Sequence, residues 1–340
     1  MKKLFFILVL ILQTLAFGYE ITDMVERKIA LDTNITRAFG ASPPMSAMLY
    51  MLAPQKMVGK NYEFLEVEKK YMQEQMINLP VLGGFFGGGG SGVNSEALIS
   101  ARPQVIFLWD SMRKMSEKFE DDFMKFKIPS VYLRQEKLED VYESINLMGE
   151  ILGVKSRAEK LVNFGKTNIA LVQKVAQKQN EIPKIYFAHG LDGLETQCEG
   201  DRFFDVASVA GAKNIHECEN KINRPRITLE KLYEYDPDAI FVREVSLFEE
   251  LKKGDSAWKN LKAYKNKKIF LEPSSPYSFL TRPPTPMRFL GVVWMCKMLY
   301  GESCDIDLNA KTKEFYKEFL HFDLSDDEIK NLYKFFKENS

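Results

Sequence analysis

The sequence predicts an α/β protein with two three-layer α/β/α lobes, each containing a mainly parallel sheet, bridged by one long interlobe helix. Short β-rich runs alternate with helical stretches, which is typical of parallel α/β units. Several of these runs are almost continuously apolar, as expected for strands covered by helices on both faces. The predicted strands are Ile35–Phe39, Val105–Trp109, Val131–Leu133, Lys184–Ala188, Ala239–Val242 and Lys268–Leu271.

The chain begins with a predicted secretory signal peptide over residues 1–18. Two lysines precede the apolar run Leu4–Leu12, and the small-residue site Ala16-Phe17-Gly18 follows it. A transmembrane helix needs about 20 apolar residues, so this run is too short to be an anchor. We therefore expect cleavage after Gly18 and export to the periplasm.

A long stretch without a strand divides the remaining chain. It runs from Leu138 to about Lys178 and is interrupted near Gly153, and the part after the interruption predicts one helix. Its apolar face is formed by Leu161, Phe164, Leu171, Val172 and Val175. We therefore predict a first lobe over residues 19–152, an interlobe helix over 153–182 and a second lobe over 183–340.

The chain ends in two predicted helices, around Thr312–Phe322 and Ser325–Glu338. Ser325 with Glu328 three residues later has the pattern of a capping box. The aromatic residues of these helices are most simply core contacts.

Charge and motif content exclude several classes of function. The chain has 47 basic and 47 acidic residues, so it lacks the basic excess typical of nucleic-acid binding. Neither a nucleophile elbow nor a His-Glu-x-x-His motif is present, and no Cys has a credible His partner. We therefore expect a protein that is not an enzyme and has no cofactor of its own.

Four cysteines remain after export, and four thiols allow three disulfide pairings. Short separations favour Cys198 with Cys218 and Cys296 with Cys304. Buried free thiols and metal ligands are the alternatives, although no C-x-x-C spacing typical of zinc sites is present.

Four segments together resemble a known family. They are Asn94–Phe107, Thr228–Ile240, Asp192–Thr196 with Val209–Asn214, and Arg282–Gly291 with Trp294. Their order and spacing resemble the periplasmic binding proteins of the cobalamin, iron-siderophore and metal-chelate class, over nearly all of the chain after the signal peptide. The resemblance implies a binding component that delivers its ligand to an ABC transporter permease dimer in the inner membrane.

The resemblance also implies a role for two carboxylates in matching positions, one in each lobe. Glu96 and Glu230 each lie at the start of a predicted helix, and in the family such residues dock onto arginines of the permease. The alternative is that they are acidic residues favoured at a helix N-terminus by the helix dipole.

Ligands of open α/β lobes bind in the crevice at the carboxyl ends of the strands. Residues in the loops of this region provide rings and charges suited to a planar or polyanionic metal chelate. The candidate ligand contacts are Ser42, Phe85, Phe86, Trp109, His189, Arg226, Arg243, Tyr277 and Arg282. The alternatives are that some arginines pair with surface carboxylates and that Phe85 or Phe86 belongs to the core.

His189 is the histidine best placed to contact a metal or its chelator, because it directly follows a predicted strand. The alternative is a loop residue without a metal. With three histidines in the chain, a site of several histidines for a bare metal ion is hard to assemble, which favours a metal delivered inside a chelate. A molybdate or tungstate oxyanion, a secreted chelate-modifying enzyme and a structural envelope protein are the other hypotheses. We expect a monomer.

Overall fold

A computed structural model of the protein describes residues 18–86, 92–201, 204–218, 225–254 and 256–333. Residues 1–17 of the predicted signal peptide and the end of the last predicted helix, up to Glu338, therefore lie outside the described residues.

The first lobe contains a parallel three-stranded sheet with the strand order β3-β4-β5, preceded by an antiparallel hairpin of β1 and β2. All five residues of β4 are buried, as their continuous apolar sequence predicts. The elements of this lobe are β1 (Tyr19–Thr22), β2 (Lys28–Leu31), β3 (Ala38–Gly40), α1 (Pro43–Leu52), α2 (Glu66–Lys69), α3 (Glu74–Ile77), α4 (Ser95–Ala101), β4 (Val105–Trp109), α5 (Arg113–Lys125), β5 (Ser130–Leu133) and α6 (Leu138–Ile151).

The interlobe helix α7 spans Lys155–Ala176 and is shorter at both ends than the predicted 153–182. It follows a turn in which Gly153 has a φ of +67°, a left-handed conformation that glycine adopts without strain. Its 22 residues span about 33 Å at about 1.5 Å per residue. The prediction that Leu171 belongs to the buried face was wrong, because this side chain is 38% exposed. The other four predicted residues of this face, Val172 among them, are buried.

The second lobe contains a parallel four-stranded sheet with the order β7-β6-β8-β9. Strands β6 and β8 have the predicted bounds. The elements are β6 (Lys184–Ala188), α8 (Asp205–Val209), β7 (Lys213–Asn214), α9 (Leu229–Tyr235), β8 (Ala239–Val242), α10 (Val245–Lys252), α11 (Lys262–Lys265), β9 (Ile269–Leu271), α12 (Arg288–Tyr300), α13 (Leu308–Phe319) and α14 (Asp326–Leu332).

The last helices contact both lobes. The Tyr50 hydroxyl donates a hydrogen bond to the Leu320 carbonyl at 3.1 Å, and the rings of Tyr71 and Tyr316 meet edge to face at 5.5 Å. Helix α14 has the predicted capping box between Ser325 and Glu328. The C-terminal segment therefore forms a second connection between the lobes, beside α7.

One apolar core extends through both lobes. Helix α12 is buried on nearly all sides and packs along α7, where a Cβ on Gly165 would lie 2.9 Å from the Phe289 ring. This close packing of helix on helix favours a stiff connection over a flexible one.

All four cysteines form disulfides, in the pairing that the short separations favoured. Cys198 is bonded to Cys218 and Cys296 to Cys304, with Cα atoms 5.4 Å and 6.0 Å apart. The first bond holds a loop of the second lobe, and the second fixes the end of α12.

Candidate ligand-binding cleft

The carboxyl ends of the parallel strands meet where the two lobes face each other. In the second lobe, Ala188 pairs with Val242 and Val242 with Leu271. The residues that directly follow these three neighbouring strands therefore lie side by side at the edge of the sheet, with their side chains on the same face. They are His189, Arg243 and Glu272. In the first lobe, the corresponding loops follow β3, β4 and β5.

Two loops of the first lobe are tied together at this edge. The Asn61 side-chain amide donates to the carbonyls of Gly40 and Gly83, at 2.8 Å and 2.9 Å, and the Phe85 N–H donates to the Ala41 carbonyl at 2.7 Å. Asn61 was missed by the sequence analysis, because it follows no predicted strand. It fixes the loop that carries Phe85 and Phe86 beside the loop after β3.

Ser42 lies at the N-cap of α1, and its side-chain hydroxyl is fully buried. It has no hydrogen-bond partner among the described residues. The first two residues of α1 are Pro43 and Pro44, which have no N–H to offer. This helix start therefore presents fewer donors than an ordinary helix N-terminus.

The two candidate phenylalanines, Phe85 and Phe86, have different surroundings in the structure. Phe85 is almost fully buried, and its ring centroid lies 5.2 Å from that of Phe119 in the first-lobe core, so the core alternative describes it. Phe86 is half-buried and meets the Tyr62 ring at 6.4 Å. Trp109, at the end of β4, is 8% exposed. Phe86 and Trp109 remain the candidate rings of the first lobe.

Tyr277 comes from the second lobe but lies against the first. It is 4% exposed, and burial raises the pKa of its hydroxyl well above the usual range, with Tyr62, Glu68 and Tyr50 adding to the effect. The Tyr62 hydroxyl donates to the Glu68 carboxylate at 2.9 Å. Tyr62 and Glu68 place a phenol and a carboxylate beside Tyr277, and neither follows a predicted strand, so the sequence does not indicate them.

His189 is 2% exposed and packs between two rings, with centroids 6.4 Å from Phe187 and 6.4 Å from Phe204. Within the part of the chain that the structure describes, no group of three or more His, Cys, Asp or Glu side chains is arranged to hold a metal ion.

The basic residues of the second lobe differ in their surroundings. Arg243 is half-buried and donates to the carbonyl of Arg282 at 3.2 Å, which brings two basic residues together. Arg243 also faces Glu272, whose pKa is raised by burial against the opposing effects of the Ser278 hydroxyl and Arg243. The Arg243–Arg282 pair is thus a positively charged group at the carboxyl ends of β8 and β9.

Arg226 instead makes a surface ion pair with Asp192. Their side chains are 56% and 47% exposed, and the hydrogen bond from Arg226 lowers the pKa of Asp192. The surface-pair alternative therefore describes Arg226.

Glu96 and Glu230 occupy equivalent helices. Each lies exposed in the first turn of a seven-residue helix, α4 or α9. The N-cap side chains Asn94 and Thr228 accept hydrogen bonds from the backbone N–H groups of Ala97 and Lys231. The two lobes thus present matched carboxylates on matched helices.

An open cavity of about 530 Å³ lies elsewhere, at the amino ends of the first-lobe strands, and is lined in part by Asp32, Arg102, Gln104 and Lys127. Ligands of open α/β sheets bind at the carboxyl ends. We therefore take the interlobe cleft, and not this cavity, as the candidate site.

The family model for periplasmic binding proteins matches residues 45–276, which carry most of both lobes. The chain belongs to the periplasmic binding protein family. Members of this family are transport binding proteins, so the chain is a periplasmic binding component of an ABC transporter. None of the helices in the described ranges is long and apolar enough to cross a membrane.

Three similar proteins can be compared with this chain, and two of them are named with different ligands. An ABC transporter solute-binding protein from Sulfurospirillum deleyianum is 28% identical, with a TM-score of 0.83 over 93% of this chain and 99% of that chain. The molybdate-binding protein MolA of Haemophilus influenzae is 23% identical over 327 residues, 88% of this chain and 90% of MolA. CeuE of Helicobacter pylori, solved with Ni(II) bound, is 16% identical, with a TM-score of 0.70 over 93% of this chain and 99% of that chain.

Proposed function

We propose that this protein captures a metal chelate between its lobes and delivers it to the permease of an ABC importer. An iron-siderophore, a nickel chelate, haem and a corrinoid are the ligands of this class. The observation that carries the proposal is the pair Arg243 and Arg282 at the second-lobe strand ends, combined with Trp109 and Phe86 at the first-lobe edge. Guanidinium groups bind carboxylate or catecholate oxygens, and rings cover apolar faces.

A small oxyanion is the second candidate, because MolA is named as a molybdate-binding protein. An oxyanion stripped of water needs several N–H donors directed at its oxygens. Pro43 and Pro44 remove two such donors at the start of α1, and Glu244 adds a carboxylate at the start of α10. These features favour a chelate with apolar faces over a bare tetrahedral anion.

We expect a chelate that enters the cleft to change the fluorescence of Trp109. The other two tryptophans, Trp258 and Trp294, are buried in the second-lobe core at 5% and 1% exposure. Titration with a ferric siderophore, a nickel chelate, haem, a corrinoid and molybdate should give saturable quenching with a chelate, and Trp109→Phe should reduce it. Quenching by molybdate alone would favour the second candidate, and no response to any of the five would contradict both.

We also propose that Glu96 and Glu230 dock onto basic residues of the permease. Charge pairs at the rim of an interface set orientation and association rate more than affinity. The double variant Glu96→Lys/Glu230→Lys should slow import of the bound ligand by about tenfold, the lower end of electrostatic steering effects. Uptake by cells that produce only the variant measures this, and ligand affinity in solution should not change.

The control for docking is Glu159→Lys/Glu302→Lys, which changes the net charge equally at two other exposed glutamates. An equal loss of uptake in this control would show that net charge, and not docking by Glu96 and Glu230, accounts for the effect.

A further inference from the structure

A fully buried arginine joins the two lobes beside the cleft. Arg288 is the first residue of α12 in the second lobe, and its side chain is 0% exposed. Its guanidinium donates to the carbonyl of Gln135 at 2.8 Å and to that of Glu136 at 3.3 Å. Both carbonyls belong to the first lobe, in the loop after β5. The third contact is the carboxylate of Asp205 in the second lobe, at 3.0 Å.

Asp205, the partner of Arg288, also contacts the first lobe directly. It begins α8 of the second lobe, and its second carboxylate oxygen accepts a hydrogen bond from the backbone N–H of Leu138 at 2.5 Å. Leu138 is the first residue of α6 in the first lobe. The carboxylate therefore satisfies one of the unpaired N–H groups at the start of that helix. Arg288 and Asp205 together hold both ends of the segment that leads from β5 to α6.

This segment is part of the cleft edge. The Glu136 carboxylate accepts a hydrogen bond from the hydroxyl of Ser111, which lies just after β4 and Trp109. The contacts of Arg288 thus reach two first-lobe loops that follow strands at the candidate site.

The hydrogen bonds of Arg288 restrict movement between the lobes more than the apolar packing of α12 on α7 does. Apolar burial is non-directional and tolerates small sliding or rotation of one helix on another. A planar guanidinium with three fixed acceptors tolerates much less, since hydrogen bonds weaken steeply when they are bent. At the cleft edge, the relative orientation of the lobes is therefore defined more sharply by the contacts of Arg288 than by apolar packing.

We propose that Arg288 is a positioning residue that fixes the angle between the lobes, and so the width of the ligand-binding cleft. It touches no ligand in this role and acts through Gln135, Glu136 and Asp205. The consequence for binding rests on the proposed function, whereas the effect on lobe orientation does not.

The test is the distance between two spin labels, one on each lobe, in the protein without ligand. All four native cysteines are paired, so Ser100→Cys on α4 and Glu249→Cys on α10 would supply the free thiols. We expect Arg288→Met to broaden the distance distribution or shift its maximum relative to the parent. Asp205→Asn, which keeps the shape of the side chain and removes its charge, should act in the same direction and serves if Arg288→Met does not fold.

The matched control is Arg27→Met. Arg27 also pairs with a buried carboxylate, that of Asp23, but both residues lie within the first lobe. An unchanged distribution in the Arg288 and Asp205 variants would overturn the proposal, and so would equal broadening in Arg27→Met.

If the proposed function is also correct, Arg288→Met should raise the dissociation constant of the chelate that quenches Trp109 by about tenfold, as expected when the competent lobe orientation falls to about a tenth of the population. A failure of every chelate to bind would contradict the proposed function. The label distance without ligand would still decide the role of Arg288.

Discussion

Replacing Arg243 by methionine should weaken binding of an anionic chelate by about 100-fold, which corresponds to about 2.7 kcal/mol. Arg243 is half-buried, and its bond to the Arg282 carbonyl orients the guanidinium at the end of β8. Charge-assisted hydrogen bonds made by an oriented and partly desolvated guanidinium are among the strongest polar contacts, and truncating one partner typically costs about 2–5 kcal/mol. Isothermal titration calorimetry with the chelate that quenches Trp109 measures the change.

Arg226→Met is the matched control for this prediction. Arg226 was an equally good candidate in the sequence, but in the structure it forms an exposed ion pair with Asp192. Exposed pairs of this kind are screened by water, and Arg226 is already occupied by Asp192, so the affinity of the control should change by less than about fivefold. A larger loss in Arg226→Met than in Arg243→Met would contradict the assignment of the site to the Arg243–Arg282 pair. Thermal unfolding of both variants shows whether loss of the charge beside buried Glu272 disturbs the fold.

The strands that the sequence predicted best are those whose residues are almost all apolar. The bounds of Val105–Trp109, Lys184–Ala188 and Ala239–Val242 are those predicted, because burial on both faces leaves no polar position inside the strand. The first predicted strand, Ile35–Phe39, was placed too early. The structure has β3 at Ala38–Gly40.

The side chain of Gln104 explains why β3 begins later than predicted. The Gln104 side-chain oxygen accepts hydrogen bonds from the backbone N–H groups of Thr36 and Arg37, at 2.8 Å and 3.1 Å. A side chain that satisfies these groups replaces the strand ladder, so pairing with β4 begins later. The contact joins residues 68 and 67 positions apart, and no local pattern predicts it.

The candidate site was predictable only where it depends on strand ends. His189, Arg243 and Trp109 follow or end strands, so the rule for α/β sheets finds them. Asn61 and Tyr62 were missed because they lie in a connecting segment that reaches the cleft through tertiary contacts. Cysteine pairing followed from short separations, since these favour local loops.

The role of Arg288 was also not predictable, although it lies in a segment used for the family resemblance. Its acceptors at Gln135 and Glu136 are 153 and 152 residues away in the chain. A lone arginine in an apolar helix predicts that some partner exists, because a buried unpaired charge is very costly, but it does not identify the partner.

Stability should depend strongly on the pairing of Arg288 with Asp205. Burial raises the pKa of Asp205 and lowers that of Arg288, so for each partner desolvation outweighs the attraction of the other. Because the folded protein holds the Asp205 proton more tightly than the unfolded chain, the contribution of this group to stability is greatest below the ordinary pKa of 3.8 and is lost as the pH rises through the raised pKa.

Asp205→Leu should destabilise the protein at pH 7 by about 3–5 kcal/mol, because it removes the acceptor of hydrogen bonds from both the buried Arg288 guanidinium and the Leu138 N–H. Adding Arg288→Met should recover part of this loss, since it removes the unpaired charge. The remaining deficit should be about 1–3 kcal/mol, from the Leu138 N–H that no longer has its acceptor. Urea unfolding of the two single variants and the double variant measures the coupling. Additive effects, with the double variant less stable than Asp205→Leu, would show that the two side chains do not act as a pair.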